Sequence, residues 1–242
     1  MVLRLGIERH TFTILGRCPA TGALGIGIAT YSMAVGGYCP SIESGVGTMS
    51  SQAFADPRLR PLCMNLLRMG SPADKVLKEL AESDPYIDFR QIGIVDSNGQ
   101  AAVHTGPKTR PWSGHIIGEG YVAMGNVLTG EQVVKSMASS FESSTSDDLE
   151  ERLMTAVESG RDSGGQPEGQ RSAALIVYRE ESYPWIDLRV DVHDEPVGEL
   201  RRAYELYKPM VSYYYHLRPK DPSNTPTQQE WIRDQQKVLD IN

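Results

Sequence analysis

The sequence predicts an α+β fold, a four-layer αββα sandwich in which two antiparallel sheets pack face to face between layers of helices. Three observations support this prediction. The strand-like runs are joined by short turns, the helices come in pairs, and the order is strands, two helices, strands, two helices, strands, helix. A parallel sheet would need a crossover, usually a helix, between successive strands. Grouped strands and paired helices therefore favour antiparallel sheets.

The predicted strands are short runs rich in apolar and β-branched residues, bounded by turn residues. The turn cluster 19–22 joins the first two strands, and Ser97-Asn98-Gly99 is the strongest hairpin signal in the chain. In the second strand, Gly25 and Gly27 alternate with apolar residues and leave one face bare for another backbone or a ligand. The predicted strands span residues 11–16, 23–31, 45–52, 89–96, 100–105, 114–118, 120–126, 172–178 and 186–190.

Capping residues followed by proline mark the first two predicted helices. Asp56-Pro57 and Ser71-Pro72 each place a proline at the first helical position, and Gly70 ends the first helix. A second pair of helices is joined by the Ser-rich stretch 139–146, and one long helix follows the last strand. The predicted helices span residues 57–69, 72–83, 131–141, 147–160 and 196–216.

The chain divides into an N-terminal extension or leader (residues 1–10), a single domain (residues 11–218) and a polar C-terminal tail (residues 219–242) that packs along the surface or frays. No apolar run approaches the roughly 18 residues needed to span a bilayer. The start of the chain also has no apolar segment long enough for a secretory signal. We therefore expect a cytoplasmic protein.

Composition narrows the classes of partner. The net charge is −7 and the basic residues are scattered, so there is no electrostatic footprint for nucleic acid or for an anionic membrane. The chain has three cysteines, an odd number, and none in C-x-x-C spacing. We therefore expect neither a disulfide framework nor a zinc site. We expect a small-molecule substrate, no metal, no cofactor and a homo-oligomer, since the tyrosines of the last helix suit a core or a subunit interface.

Several polar side chains stand at the ends of predicted strands, where they could bind or transform a ligand. His104 is the best candidate for a general acid or base among five histidines. Gln52 and Asp56 flank a junction between strand and helix, although Asp56 is also suited to cap that helix. Asn126 could donate to an oxyanion or simply form a turn.

Two further candidates lie close to flexible segments. Ser32 closely follows the second strand. It is either a hydroxyl that takes part in the predicted site or an ordinary loop residue. Arg171 follows a glycine-rich loop and could clamp a carboxylate with two parallel hydrogen bonds, or form a surface ion pair. Asp191, His193 and Asp194 are spaced like metal ligands, but no second cluster completes a site.

Six sequence blocks resemble the domain of unknown function family number ten twenty-eight, an uncharacterised and mostly bacterial family placed with the N-terminal-nucleophile (Ntn) hydrolases. The resemblance covers about residues 11 to 208. The blocks, in chain order, are TFTILGRCPATGALGIGIAT, SGVGTMSSQAFADP, RQIGIVDSNGQAAVHTG, GYVAMGNVLTG, GQRSAALIVY and PWIDLRVDVHDEPVGELRR.

The resemblance implies an Ntn-hydrolase-like fold and a nucleophile at Thr11. Members of the family commonly begin Met-Thr-aromatic-Ser, and Thr11 occupies the position of that threonine. A hydroxyl is a poor nucleophile near neutral pH, but a free α-amine with a pKa of about 7.7 to 8.0 can take its proton within the same residue. The implied activity is cleavage of a C–N amide bond in a small linear or cyclic amide or peptide-like compound.

The chain departs from the family pattern at two points. Ten residues precede Thr11, so this mechanism requires a cut after His10. Three interpretations stay open: self-cleavage, a start site assigned too far upstream, or a protein that does not use Thr11 covalently. Related threonine hydrolases also carry a lysine and an aspartate on the following strands, and residues 23–37 contain neither, so Thr13, Thr30 or Ser32 would have to assist. The alternative function is a non-catalytic small-molecule-binding or oligomeric member of the fold.

Overall fold

The computed structural model describes residues 10–144 and 148–239. Residues 1–9 of the proposed leader, the predicted helix start at Asp147 and the last three residues of the tail lie outside the described residues. The strands are β1 (Thr11–Arg17), β2 (Leu24–Thr30), β3 (Pro40–Glu43), β4 (Gly47–Ala53), β5 (Arg90–Asp96), β6 (Ala101–Thr105), β7 (Gly114–Gly118), β8 (Tyr121–Asn126), β9 (Ser172–Tyr178) and β10 (Ile186–Val190).

The α-helices differ more than the strands from their predicted bounds. They are α1 (Val35–Tyr38), α2 (Leu59–Arg68), α3 (Ala73–Ser83), α4 (Gln132–Ser143), α5 (Leu149–Asp162), α6 (Pro196–Tyr207), α7 (Arg218–Lys220) and α8 (Gln228–Leu239). The predicted third strand, residues 45–52, corresponds to β4, and β3 is an additional strand that the sequence pattern did not predict. The predicted final helix ends nine residues early, at Tyr207, and a 3-10 turn around Pro209 follows, because proline lacks the amide hydrogen of a continuing helix.

Two antiparallel sheets form the centre of the molecule. One has six strands in the order β10-β9-β2-β1-β8-β7, and the other has four in the order β3-β4-β5-β6. Helices α2 and α3 pack on the four-stranded sheet, whereas α4, α5 and α6 pack on the outer face of the six-stranded sheet. The predicted α+β four-layer sandwich is therefore confirmed.

Alternation along β1 shows how the layers are built. Phe12 and Ile14 belong to the core beneath α4 and α5, while Leu15 belongs to the core between the two sheets. Successive side chains of a strand point to opposite faces, so Thr11 and Thr13 share the inter-sheet face with Leu15. The polar start of β1 is thereby buried between the sheets rather than exposed on a surface.

The bare face of β2 receives a helix. A Cβ added at Gly27 would lie 2.6 Å from Cγ2 of Val157 and 3.0 Å from the carbonyl oxygen of Leu153, both on α5. A Cβ at Gly25 would lie 2.5 Å from Cδ1 of the same Leu153. The backbone approach predicted from the glycine pattern is therefore that of α5.

Aromatic residues anchor the C-terminal segment on the domain. Tyr204 and Tyr215 are almost completely buried, and the Tyr215 ring packs edge-on against Trp185. Helix α8 is tied to this cluster by Trp231, whose ring contacts Tyr213 and whose Nε1 donates to the carbonyl oxygen of Pro209 at 3.1 Å. None of the described helices has the length and apolar character required to cross a bilayer.

We expect Gly27→Ala to destabilise the protein by about 1 to 3 kcal/mol, because the added methyl group collides with α5 where the Leu153 backbone cannot move aside. Gly198→Ala is the matched control, because Gly198 lies on α6 with open space around its Cβ position. There the same change should stabilise by up to about 1 kcal/mol. Urea denaturation of both variants measures the difference, and equal free energies of unfolding would contradict the close approach.

Candidate active site

Thr11 is the first residue of β1 and lies between the last residues of two neighbouring strands. In the register of the sheet it pairs with Thr30 at the end of β2 and with Asn126 at the end of β8. All three residues are buried. The hairpin and the β1–β8 pairing thus bring together two hydroxyl groups and an amide that are far apart in the sequence.

Two threonine hydroxyl groups form a directed pair. Oγ1 of Thr11 and Oγ1 of Thr30 are 3.1 Å apart, and the Thr30 hydroxyl donates to the carbonyl oxygen of His10. A hydroxyl carries one hydrogen, and that of Thr30 is used for His10. Thr11 is therefore the donor to Thr30, which leaves the Thr11 oxygen rich in electron density and gives its proton a path to the His10 carbonyl.

The carbonyl oxygen of His10 accepts three hydrogen bonds. Besides the Thr30 hydroxyl, the donors are the backbone N–H of Tyr31 at 3.2 Å and Nε2 of Gln166 at 2.9 Å. Hydrogen-bond donors gathered on one carbonyl oxygen stabilise the negative charge that develops there when a nucleophile adds to the carbon. These donors thus hold the carbonyl oxygen of the peptide bond between His10 and Thr11.

Gln166 is placed by the glycine-rich loop between α5 and β9. Gly165 and Gly169 adopt positive φ angles of 48° and 80°, and the turn between them points the Gln166 side chain inward, where it is buried. Nε2 of Gln170 donates to Oε1 of Gln166 at 2.7 Å and orients the amide so that its nitrogen faces His10.

A neutral amide network lies beneath Thr11 between the two sheets. The Thr13 hydroxyl donates to Oε1 of Gln52 at 2.6 Å, and Nε2 of Gln52 donates to Oε1 of Gln91 at 2.8 Å. Asn126 reaches the same oxygen of Gln91 with its Nδ2 at 3.2 Å. Strands β1, β4, β5 and β8 are therefore joined by side-chain hydrogen bonds at the level of Thr11.

Gln91 extends this network to the edge of the four-stranded sheet. Its Nε2 lies 2.9 Å from the carbonyl oxygen of Gly125 and 2.9 Å from the Thr105 hydroxyl. That hydroxyl lies 2.8 Å from Nδ1 of His115, whose pKa is lowered by burial and by the nearby charge of His104. Among the described residues, the groups that bond to Gln52 and Gln91 are neutral amides, hydroxyls and carbonyls.

Backbone strain is concentrated where these strands end. Val127 directly follows Asn126 with φ of 51°, and Ala53 directly follows Gln52 with φ of 64°. Such left-handed conformations are costly for residues with a Cβ, especially a β-branched one, and they persist where the surrounding structure holds them. Both aim the chain away from the site just after a residue of the amide network.

His104, the histidine predicted as a general acid or base, lies on the opposite face of its sheet from the amide network. His104 pairs with Ile92, whose side chain belongs to the core under α2 and α3, and Nε2 of His104 contacts the carbonyl oxygen of Ile87 at 3.1 Å. Its neighbour Thr105 faces the amide network instead, because adjacent strand residues point to opposite faces. The structure therefore brings Thr11, Gln52 and Asn126 together but does not place His104 with them.

Asp56 serves the start of α2. Its carboxylate accepts from the backbone N–H of Arg58 at 2.9 Å and from Nη2 of Arg58 at 2.7 Å, while Arg90 lies 3.8 Å away. The Arg58 guanidinium, and less strongly Arg90, lowers the pKa of Asp56 to about 2. Arg58 is the N-cap of α2 and the helix has no side-chain cap hydrogen bond, so Asp56 holds the residue before the helix rather than capping the helix itself.

Ser32 and Arg171 lie at the side of the site formed by β2 and β9. The carbonyl oxygen of Ser32 accepts from the Ser172 hydroxyl at 2.7 Å, and the backbone N–H of Arg171 donates to Thr30 at 2.7 Å. The Arg171 guanidinium lies 5.8 Å from the centre of the Tyr31 ring. No group of three potential metal ligands occurs among the described residues.

Sequence reasoning missed Gln91 and Gln166, the two side chains that complete the site. Gln91 is the second residue of a strand and Gln166 lies between glycines, and neither position carries a local motif. The one available signal was polarity inside segments that were otherwise apolar or glycine-rich.

We expect Gln91→Leu to destabilise the protein by about 3 kcal/mol, because it leaves the buried amides of Gln52 and Asn126 without their acceptor. Gln100→Leu is the matched control, since Gln100 is exposed and its side chain bonds only to Asp74, in the first turn of α3, within the described structure. It should change stability by less than about 0.5 kcal/mol. Urea denaturation provides the measurement, and a small effect of Gln91→Leu would show that the network contributes little.

We expect Asp56→Asn to cost about 1 kcal/mol at pH 7, a figure reduced by solvent screening at the exposed Arg58. The folded-state pKa of Asp56 is depressed to about 2, so its contribution is present above the unfolded value near 3.8 and is lost as the pH falls. The stabilities of variant and parent should therefore converge between about pH 4 and pH 2. A difference that persists at pH 2 would contradict this assignment.

Comparison with known proteins identifies the family. Residues 11–200 match the family of unknown function (DUF1028). The crystal structure of a Silicibacter pomeroyi protein of that family is similar with a TM-score of 0.77 and 30% identity, covering 82% of this chain and 86% of that chain. The Anbu (ancestral beta-subunit) protein of Yersinia bercovieri matches at 12% identity over 85% of this chain and 97% of that one. Its TM-score of 0.38 is too low to support a conclusion about fold or function. No curated protein matches the chain. The chain belongs to the DUF1028 family.

Proposed function

We propose that this protein is an N-terminal-nucleophile hydrolase that cleaves the C–N bond of a small linear or cyclic amide or peptide-like compound. Thr11 is the nucleophile after the bond to His10 has been cut. One observation carries the proposal: the Thr11 hydroxyl donates to Thr30, and Thr30 donates to the carbonyl oxygen of the residue before Thr11. Residues 1–10 are then a leader, and the domain from residue 11 is the mature enzyme.

The same contacts account for removal of the leader. Oγ1 of Thr11 adds to the carbonyl carbon of His10, and its proton passes through the Thr30 hydroxyl to the carbonyl oxygen. Gln166 and the N–H of Tyr31 stabilise that oxygen. The C–N bond then breaks, the nitrogen takes the proton, and an ester joins His10 to Oγ1. Water hydrolyses the ester, which restores the hydroxyl and leaves Thr11 with a free amine.

The mature enzyme repeats the chemistry on a substrate. The free α-amine of Thr11, with an ordinary pKa of about 7.7 to 8.0, accepts the hydroxyl proton as Oγ1 attacks the substrate amide. The leaving amine takes that proton when the substrate C–N bond breaks. Water then hydrolyses the ester, giving a carboxylic acid and free enzyme.

The amide network has a positioning role in this scheme. Gln52 Nε2 lies 3.4 Å from the carbonyl oxygen of Thr11, and Gln52 also holds Thr13 two residues further along β1. Gln91 holds Asn126 beside Thr11. We keep Asn126 as an additional proposed donor to the substrate oxygen, beside Gln166 and the N–H of Tyr31. In the uncut chain its amide nitrogen bonds to Gln91.

We expect protein made in its natural host to begin at Thr11, and we expect Thr11→Val to stay full length and to lose labelling by an amine-reactive or β-lactone acylating probe at this residue. Activity should fall by about a thousandfold or more, because the nucleophile is removed. Thr48→Val is the matched control, since Thr48 is an equally buried strand threonine outside these contacts. It should be cut and labelled like the parent.

Intact-mass spectrometry and sequencing of the N-terminus read out the test. A full-length chain that hydrolyses amides as well as a shortened one would rule out Thr11 as an N-terminal nucleophile. A full-length chain that only binds small molecules would favour the non-catalytic alternative.

A further inference from the structure

The side chain of His10 occupies a site of its own, formed by Tyr31 and by the loop between α5 and β9. Its imidazole is 5% exposed, and its Nδ1 lies 3.0 Å from Oε2 of Glu168. The ring stacks on Tyr31 with centroids 5.8 Å apart and an angle of 28° between the planes. An aromatic ring and a carboxylate thus flank the buried imidazole, whose Nδ1 lies at ion-pair distance from Glu168 without the alignment of a hydrogen bond.

One loop contacts both the main chain and the side chain of His10. Gln166 donates to its carbonyl oxygen, and Glu168, two residues later, faces its imidazole. Arg171 ends the loop with its guanidinium near the Tyr31 ring and its backbone N–H bonded to Thr30. The loop therefore positions the reacting carbonyl and selects the group attached to it.

We propose that the mature enzyme binds the acyl side of its substrate in this His10 site and prefers amides whose acyl group carries an imidazole or a similar basic aromatic ring, such as peptides with histidine before the cleaved bond. The inference rests on the proposed function. The same hydroxyl attacks both bonds, so a substrate carbonyl held by the same donors places its acyl group where His10 lies in the uncut chain.

The contacts also define which acyl groups bind poorly. A phenyl ring can stack on Tyr31, but it has no polar N–H group to face the carboxylate of Glu168. A methyl group does neither, and an acidic group would place a second negative charge against the carboxylate of Glu168. Because Glu168 is 51% exposed, solvent limits the selectivity to about tenfold rather than the larger factors seen for fully buried donors.

The reaction in this site is a hydrolysis in which water is the only reactant besides the substrate. Oγ1 of Thr11 bonds to the histidyl carbonyl carbon, the C–N bond breaks, and the leaving amine receives the hydroxyl proton. Water cleaves the resulting ester, so the products are a free amine and an acid that ends in histidine.

The test uses enzyme that begins at Thr11 and the p-nitroanilides of N-acetylhistidine, N-acetylphenylalanine and N-acetylalanine. We expect kcat/KM to decrease in that order, with histidine at least about tenfold above alanine. Glu168→Ala should lower kcat/KM for the histidine compound about tenfold and leave the other two within twofold. Glu119→Ala, at an exposed glutamate of the β7–β8 turn, is the matched control and should change none of them.

A second measurement keeps the proposal testable if Glu168→Ala folds poorly. N-acetylhistidine, the acid product, should raise the Tm of the mature parent enzyme more than N-acetylalanine does. Equal turnover of the three anilides together with equal Tm shifts by an enzyme that begins at Thr11 would overturn the His10 site and leave the proposed function intact. A chain that keeps residues 1–10 and is not labelled at Thr11 would overturn the proposed function and this inference with it.

Discussion

The arrangement of the site depends on one buried hydrogen bond, that from Nε2 of Gln52 to Oε1 of Gln91. Sheets that pack on apolar side chains alone can slide over one another, because dispersion contacts have little direction. The two amides belong to β4 and β5 of the four-stranded sheet, and they bond to Thr13 and Asn126 of the six-stranded sheet. These bonds fix the position of the two sheets relative to each other at the start of β1. Each member is satisfied by a neutral partner, so the network avoids the desolvation cost of a buried charge.

The peptide bond before Thr11 is held by parts of three separate segments. Thr30 and Tyr31 end β2, Gln166 comes from the loop after α5, and the β1 strand supplies the bond itself. Donors converging on a carbonyl that has a hydroxyl beside it are what an acyl transfer needs. In the proposed mechanism, removal of the leader and turnover of a substrate are the same reaction on two different acyl groups, which also links the identity of His10 to the proposed substrate preference.

Local patterns predicted the strands well because their determinants are local. The strands β9 and β10 have their predicted ends, and the hairpin of β5 and β6 turns at Ser97-Asn98-Gly99, where Gly99 takes the positive φ of 86° that the turn needs. The prediction of one long final helix was wrong, because tertiary packing and Pro209 change the backbone conformation of the segment after Tyr207. Asp56 pairs with Arg58, two residues further along the chain. Asp187 pairs in the same way with Arg189, whose Nε lies 2.6 Å from Oδ1 of Asp187. Both partners are close in the sequence.

The sequence by itself determined the layering, the position of Thr11 at the start of a strand and the family, because hydrophobic period, turn residues and ordered motifs are written along the chain. Only the tertiary structure decided which polar groups surround Thr11. Gln91 and Gln166 lie 80 and 155 residues beyond it, and His104 points to the opposite face of its sheet. Such choices depend on strand register and on the direction of a loop, which long-range packing sets and no local pattern records.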